Sequence, residues 1–363
     1  MSTSKAIDLR TTVSLQQAEA LILAAGREVT FMLQGPMGIG KSSLLVSMAQ
    51  KLPEYEVVYM DMTTKDLGDI SGVPKVETIN GVDVTIFAPN SELRLHSNKP
   101  VLLMLDEFGK AMRPVQNTCL RLMLERKMGE YALPEGSIVF GTTNLVGEGL
   151  GDAIQPHARN RLSFVTVTSP DADAWCDWAM NNGVQPEVIT WVHENPHCLA
   201  SFADGSQKDN PYIFHPNKPA SAFVTPRSLT KASHIIKHRG TLGLDATTAG
   251  IAGCVGESAA RDLMAFADLA DKLPTWEQII KTPEKAKVPK DGDATSSFIT
   301  VYSAIGRVEK DTMDAWLKYC QRLPMEFQAV FCTNVVKNTT KRTVAISNRE
   351  FVSWATKNQF LFD

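Results

Sequence analysis

The feature that most constrains this chain is the run Gly35-Pro-Met-Gly-Ile-Gly-Lys-Ser42, set between an apolar stretch, Val29 to Leu33, and a segment of helical character, Ser43 to Leu52. The spacing Gly35-x-x-x-x-Gly40-Lys41-Ser42 is that of a phosphate-cradling loop between a strand and a helix. Its glycines let backbone N–H groups turn inward around phosphate oxygens. The helix that follows presents its positive end to the anion. In such a loop Lys41 reaches the β- and γ-phosphates and the Ser42 hydroxyl ligates a magnesium ion. The candidate phosphate-binding residues are therefore Gly35, Pro36, Met37, Gly38, Ile39, Gly40, Lys41, Ser42 and Ser43.

The rest of the first half fits a strand–helix alternation. Residues 14–25 carry apolar side chains at helical spacing, with Ser14 as N-cap and Gly26 as the stop. Further buried strands are expected at Val57 to Met60, Val101 to Leu105, Ser137 to Phe140 and Phe164 to Val167, with a helix over 110–127. Residues 61–100 read as loop-rich, with turns at Asn80-Gly81 and Pro89-Asn90. Met128 to Phe140 reads as a hairpin running into a strand. This alternation indicates an α/β domain with a mostly parallel sheet.

After residue 168 the pattern is helical, with helices expected at 171–181, 186–194, 226–238, 257–269, 311–322 and 349–358 and no convincing strand. Residues 281–293, rich in Lys, Pro and Asp, read as a solvated linker. The expected division is an α/β core at 1–168, an all-helical lid at 169–290 and a helical C-terminal extension at 291–363. Trp175, Trp178 and Trp191 are expected in the lid core. His193 and His197 read as a surface pair, not a zinc site, because Pro196 lies between them. Lys341-Arg342 reads as solvated charge.

Two carboxylates end the apolar run Val101 to Leu105. A carboxylate closing a central strand beside the P-loop strand is where magnesium must be held. Asp106 is placed to hold it together with Ser42, and Glu107 is the candidate to polarise an attacking water. Asn144 closes the Gly-Thr-Thr-Asn run, where a neutral amide orients water without adding charge.

Charge and composition limit the function classes. Lys and Arg number 37 against 40 Asp and Glu, a net charge of −3, which does not favour non-specific nucleic-acid binding. The six cysteines show no C-x-x-C spacing and read as reduced thiols of a cytoplasmic protein. The polar start, Met1 to Arg10, does not read as a signal sequence, and no apolar run approaches the ~20 residues of a membrane span.

With these residues in place, the chain resembles the AAA+ ATPases of the MoxR-like and dynein-related branch. GPMGIGKS corresponds to Walker A, LLMLDEFGKA to Walker B and GTTN to sensor 1. Thr63 to Pro74 resembles the stretch that this branch carries after its second strand. Ala158-Arg-Asn-Arg-Leu162 resembles the arginine-finger segment, with Leu162 where Phe is usual, and Thr225-Pro-Arg227-Ser resembles sensor 2. The resemblance implies ATP as the nucleotide, although no residue of the loop specifies adenine over guanine. It also implies Mg²⁺ and an active site between subunits of a homo-oligomeric ring, most simply a hexamer. In that arrangement Arg159 or Arg161 reaches the neighbour's γ-phosphate, and Arg227 projects from the lid. In an extended segment the two arginines would point to opposite sides, with a slight lean to Arg161 as the finger. Residues 66–74 and 79–84 are candidate pore loops.

The resemblance therefore implies an ATP hydrolase that remodels or matures a partner protein, as MoxR-like chaperones do with a separate client or von Willebrand factor A domain protein. One rival is a nucleic-acid motor: a helicase, a translocase or a restriction-type NTPase subunit. Another is a nucleotide-gated scaffold that binds and assembles with little turnover.

Overall fold

The computed structural model describes residues 12–144, 154, 156–202, 205–216 and 220–359. The polar opening segment thus lies outside the described residues. The chain divides into two compact units, 1–169 and 170–363.

The first unit is built on a six-stranded sheet. Its strands are β1 (Thr12–Val13), β2 (Phe31–Gln34), β3 (Glu56–Asp61), β6 (Val101–Asp106), β9 (Ile138–Thr143) and β10 (Ser163–Val167). Their order is β1-β10-β2-β9-β6-β3, and every neighbouring pair is parallel. A parallel sheet is covered on both faces, so its central strands are continuous apolar runs. β6 and β9 are buried along their whole length. Alternate residues of β6 feed two cores. Leu102 and Met104 pack with Ala18, Ile22 and Met48, from helices α1 (Leu15–Ala25) and α2 (Ser43–Lys51). Leu103 and Leu105 pack with Val115, Cys119 and Leu122 of α4 (Arg113–Glu125). Ser14 caps α1 through a reciprocal pair with Gln17, and Gly26 closes the helix.

The stretch 61–100 departs from the loop-rich expectation. It forms a short helix, α3 (Leu67–Ser71), and a seven-rung hairpin of β4 (Val73–Ile79) and β5 (Val82–Ala88). The turn residues Asn80 and Gly81 both have positive φ, 53° and 81°, the backbone that a two-residue hairpin turn demands. β4 escapes a periodicity search because it is exposed throughout and has no core face to alternate against, whereas β5 does alternate, with Val84, Ile86 and Ala88 half-buried between exposed neighbours. The hairpin expected over 128–140 is a small one, β7 (Lys127–Met128) with β8 (Tyr131–Ala132), while Ile138 begins the core strand β9. A four-residue helix, α5 (Pro156–Arg159), precedes β10.

The second unit is helical, and no strand is assigned among its described residues. The six expected helices are present as α6 (Ala172–Asn181), α7 (Pro186–Glu194), α8 (Pro226–Lys237), α11 (Glu257–Asp271), α14 (Met313–Cys320) and α17 (Arg349–Lys357). Six more join them: α9 (Arg239–Leu242), α10 (Leu244–Val255), α12 (Trp276–Lys281), α13 (Ala294–Arg307), α15 (Met325–Lys337) and α16 (Arg342–Ile346). α13 is rich in Ser, Thr and β-branched residues, which are weak helix formers, so its composition does not announce a helix. Its hydroxyls bond back to the preceding turn, as from Thr300 to the Ser296 carbonyl at 2.7 Å.

One apolar core draws on helices from α6 to α17, with Trp175, Trp191, Trp316 and Tyr319 fully buried. Trp178, expected in that core, is instead exposed. Residues 281–293 are tied to it. Arg322 donates to the carbonyls of Pro283 and Ala286 at 2.5 and 2.8 Å, and the Tyr319 hydroxyl donates to that of Lys287 at 2.8 Å. Lys341 is also not freely solvated, because its ammonium pairs with Glu309. His193 lies against the Phe298 ring, with ring centroids 4.4 Å apart. Among the described residues no cluster of His, Cys, Asp and Glu could hold a metal ion, and all six cysteines are free. No described helix is long and apolar enough to cross a membrane.

Candidate active site

The chain leaves β2 at Gln34 and turns at once into the glycine-rich loop. A Cβ on Gly35 would lie 2.5 Å from the Val167 carbonyl oxygen, so only glycine passes between β2 and β10. Gly38 and Gly40 have φ of 74° and 110°, a region that L side chains rarely adopt. Ile39, at the crest of the loop, is buried in the core and anchors it. Ser43 Oγ donates to the Gly40 carbonyl at 2.6 Å and ties the loop to the first turn of α2.

Lys41 is buried, and its Nζ donates to the carbonyls of Gly35 at 2.7 Å and Pro36 at 2.8 Å and to Asn144 Oδ1 at 3.2 Å. The β2–β9 pairing makes the last contact possible, since Gln34 lies opposite Thr143 in register. Among the described residues these three oxygens hold the ammonium at the mouth of the loop.

Asp106 ends β6 and is 6% exposed. Its Oδ2 accepts from Ser42 Oγ at 2.8 Å and from the Tyr59 hydroxyl at 2.9 Å. Its Oδ1 accepts from the Thr142 hydroxyl and from the Glu107 amide at 3.2 Å. The Ser42 hydroxyl beside an Asp106 carboxylate oxygen is a pair of hard oxygen donors. Such a pair suits Mg²⁺, which keeps most of its waters and takes one or two protein oxygens.

Glu107 sits in the left-handed region at φ 52°. Its amide also donates to Thr142 Oγ1 at 3.1 Å, and its carboxylate pairs with Lys110 at 2.5 Å. Partial burial of Tyr59, and then its hydrogen bond to Asp106, push the phenol up to about 12.

Lys41, Ser42, Asp106 and Asn144 therefore converge, with Glu107 following Asp106 in the chain. Arg159 and Arg161 are exposed and have no hydrogen bond to this group among the described residues. Their segment is not extended: Arg159 ends α5, and the amides of Arg161 and Leu162 both fold back to the Ala158 carbonyl. Strand alternation thus does not set their directions. The Arg159 guanidinium lies 5.2 Å from the centre of the Phe164 ring, while Leu162 is buried among the core residues. Arg227 is an exposed first-turn residue of α8 in the helical unit, where Thr225 and Ser228 form a capping box.

Sequence reasoning missed Thr142, Tyr59 and Lys110. Thr142 had a usable signal, since it lies on the strand that leads into Asn144, two positions ahead of it. Tyr59 had none, because only the β3–β6 register brings it to Asp106.

Strand, glycine-rich loop, helix and a parallel strand closed by Asp106-Glu107 define a P-loop nucleoside triphosphatase core; that strand, β6, is not beside β2 as expected but one strand away, with β9 between them. More narrowly, residues 30–150 match the AAA domain of the dynein-related subfamily, a domain that binds and hydrolyses ATP. The match ends before the helical unit begins. No curated protein matches the sequence. The crystal structure of NtrX from Brucella abortus aligns with 98% of this chain and 70% of its own, at 15% identity and a TM-score of 0.32, too distant a likeness to carry an argument.

Proposed function

We propose that this ATPase is a ring-forming, MoxR-like machine that uses ATP hydrolysis to remodel or mature a separate partner protein, either a client or a von Willebrand factor A domain protein. In this reading Lys41 binds the β- and γ-phosphates, and Ser42 and Asp106 hold Mg²⁺. Glu107 polarises the water and Asn144 orients it. Arg159 or Arg161 completes the site of the next subunit in a homo-oligomer, most simply a hexamer, and Arg227 reports from the lid.

The observation that carries a protein partner over a nucleic acid is the β4–β5 hairpin. Its exposed apolar side chains fall on both faces, Val73, Ile79 and Val82 on one and Val76 and Phe87 on the other, so the ribbon offers apolar contact to a polypeptide rather than a basic track. Phosphate backbones call for Lys and Arg, with affinity that falls steeply with salt. A nucleic-acid motor remains the reading to be tested against it.

Turnover would be measured with added unfolded polypeptide and with DNA, at low and moderate salt, for the native chain and for Val76→Asp/Phe87→Asp. Stimulation by polypeptide that the hairpin variant loses, with unchanged basal turnover, supports the reading. Stimulation by DNA that fades with salt and survives the hairpin change overturns it in favour of a nucleic-acid motor.

A further inference from the structure

The roles above leave Thr142 unassigned, yet its hydroxyl touches both acidic residues of the site. Thr142 lies on β9, is 1% exposed, and stands opposite Leu33 in the β2 register. Its single hydroxyl proton points to Asp106 Oδ1, because an ionised carboxylate only accepts. The lone pairs that remain then accept the Glu107 amide, 3.1 Å away. The polarity is fixed: the amide of Glu107 is shared between Thr142 Oγ1 at 3.1 Å and Asp106 Oδ1 at 3.2 Å, and Thr142 donates to that same Asp106 oxygen, closing a three-way cluster. Glu107 is the residue that needs such a clamp. Its φ of 52° is a conformation that a non-glycine residue keeps only when its surroundings hold it there.

We infer that Thr142 is a positioning residue for hydrolysis. One buried hydroxyl locks Asp106 and the strained backbone of Glu107 together, and so aims the water-polarising carboxylate relative to the metal-facing one. Asp106 keeps Oδ2 turned to Ser42 while Oδ1 stays on Thr142. The same strand end carries Asn144, which holds Lys41. A displacement of β9 at Asn144 is therefore passed to Glu107 through Thr142, with no contact between Asn144 and Glu107 required. The inference rests on the proposed role of Glu107 and adds the residue that orients it.

The test compares Thr142→Val, Thr142→Ser and Thr142→Ala with Glu107→Gln, measuring kcat, KM for ATP and nucleotide affinity by calorimetry. A misplaced catalytic group costs on the order of 10²-fold. Thr142→Val is expected to lower kcat by about 10- to 100-fold, with affinity and KM within about 3-fold of native, while Thr142→Ser stays near native. Ser and Ala variants both lack the methyl, and only Ser keeps the hydroxyl, so their ratio isolates the hydroxyl even when the Val variant does not fold. In the Glu107→Gln background, Thr142→Ala should cost little more, because the group that it aims is already disabled.

Equal losses in the Ser and Ala variants, or a loss of affinity that matches the loss of turnover, would overturn the inference in favour of simple packing. Native kcat in Thr142→Ala beside a stalled Glu107→Gln would sink the role of Thr142 alone. Native kcat in Glu107→Gln would sink the role of Glu107 itself and the inference with it.

Discussion

Lys41 Nζ donates to Asn144 Oδ1 at 3.2 Å, joining the glycine-rich loop to the end of a strand 103 positions away in the chain. The contact exists because β2 and β9 are parallel neighbours that end level with each other. A phosphate entering the loop meets a lysine that is already oriented by Gly35, Pro36 and Asn144. Any change at the lysine is felt at the amide proposed to orient water.

Lys41→Ala removes the charge proposed to face the β- and γ-phosphates. ATP binding by calorimetry is expected to fall below detection while the helical unit keeps its thermal transition, since Lys41 lies in the other unit. ATP affinity equal to native would refute the role of Lys41.

Glu107→Gln keeps the shape of the side chain and loses its charge, and with it the ion pair to Lys110. Asp106 and Ser42 are untouched, so ATP binding should persist. Turnover should drop on the order of 10²- to 10⁴-fold, the contribution of a positioned general base. Single-turnover hydrolysis at the native rate would contradict this.

Arg159 and Arg161 are exposed beside the start of β10, where a neighbouring subunit can receive them. An arginine supplied in trans is worth about 10³-fold or more in turnover. Specific activity is then expected to rise with protein concentration as rings assemble. Mixing inactive Lys41→Ala with an inactive arginine variant should restore some hydrolysis, at interfaces where an intact loop meets an intact arginine. Activity per subunit that stays flat from dilute monomer upward would leave the ring-motor reading without support.

Tyr59 holds its proton more tightly in the folded protein than its ordinary 10.0, because of partial burial and then the bond to Asp106. A group whose folded value is raised contributes stability that is complete below the unfolded value and is lost as pH climbs through the folded one. The window here is pH 10 to about 12. Tyr59→Phe should therefore flatten part of the fall in stability across that window, read by denaturant melts at successive pH values. Identical slopes in the two proteins would show that the Tyr59–Asp106 bond is absent in solution.

The core strands, the P-loop and the two carboxylates were already legible in the order of the residues. Each of these is written locally. A buried parallel strand must be a continuous apolar run, as in Val101 to Leu105, and a phosphate loop must have glycine at fixed spacing. The sequence also marked Asn144, because it closes such a strand.

Tertiary structure alone decided what has no local signature. The β4–β5 hairpin was read only as an Asn-Gly turn because β4, exposed throughout, shows no alternation, although β5 does. α13 was hidden by its Ser, Thr and β-branched residues, which are weak helix formers. Tyr59 reaches Asp106 only through the pairing of β3 with β6, and Thr142 reaches Asp106 and Glu107 only because β9 lies beside β6. Short-range order follows from the steric and hydrophobic needs of each segment. Which hydroxyl meets which carboxylate depends on strand order and register, which belong to the sheet as a whole.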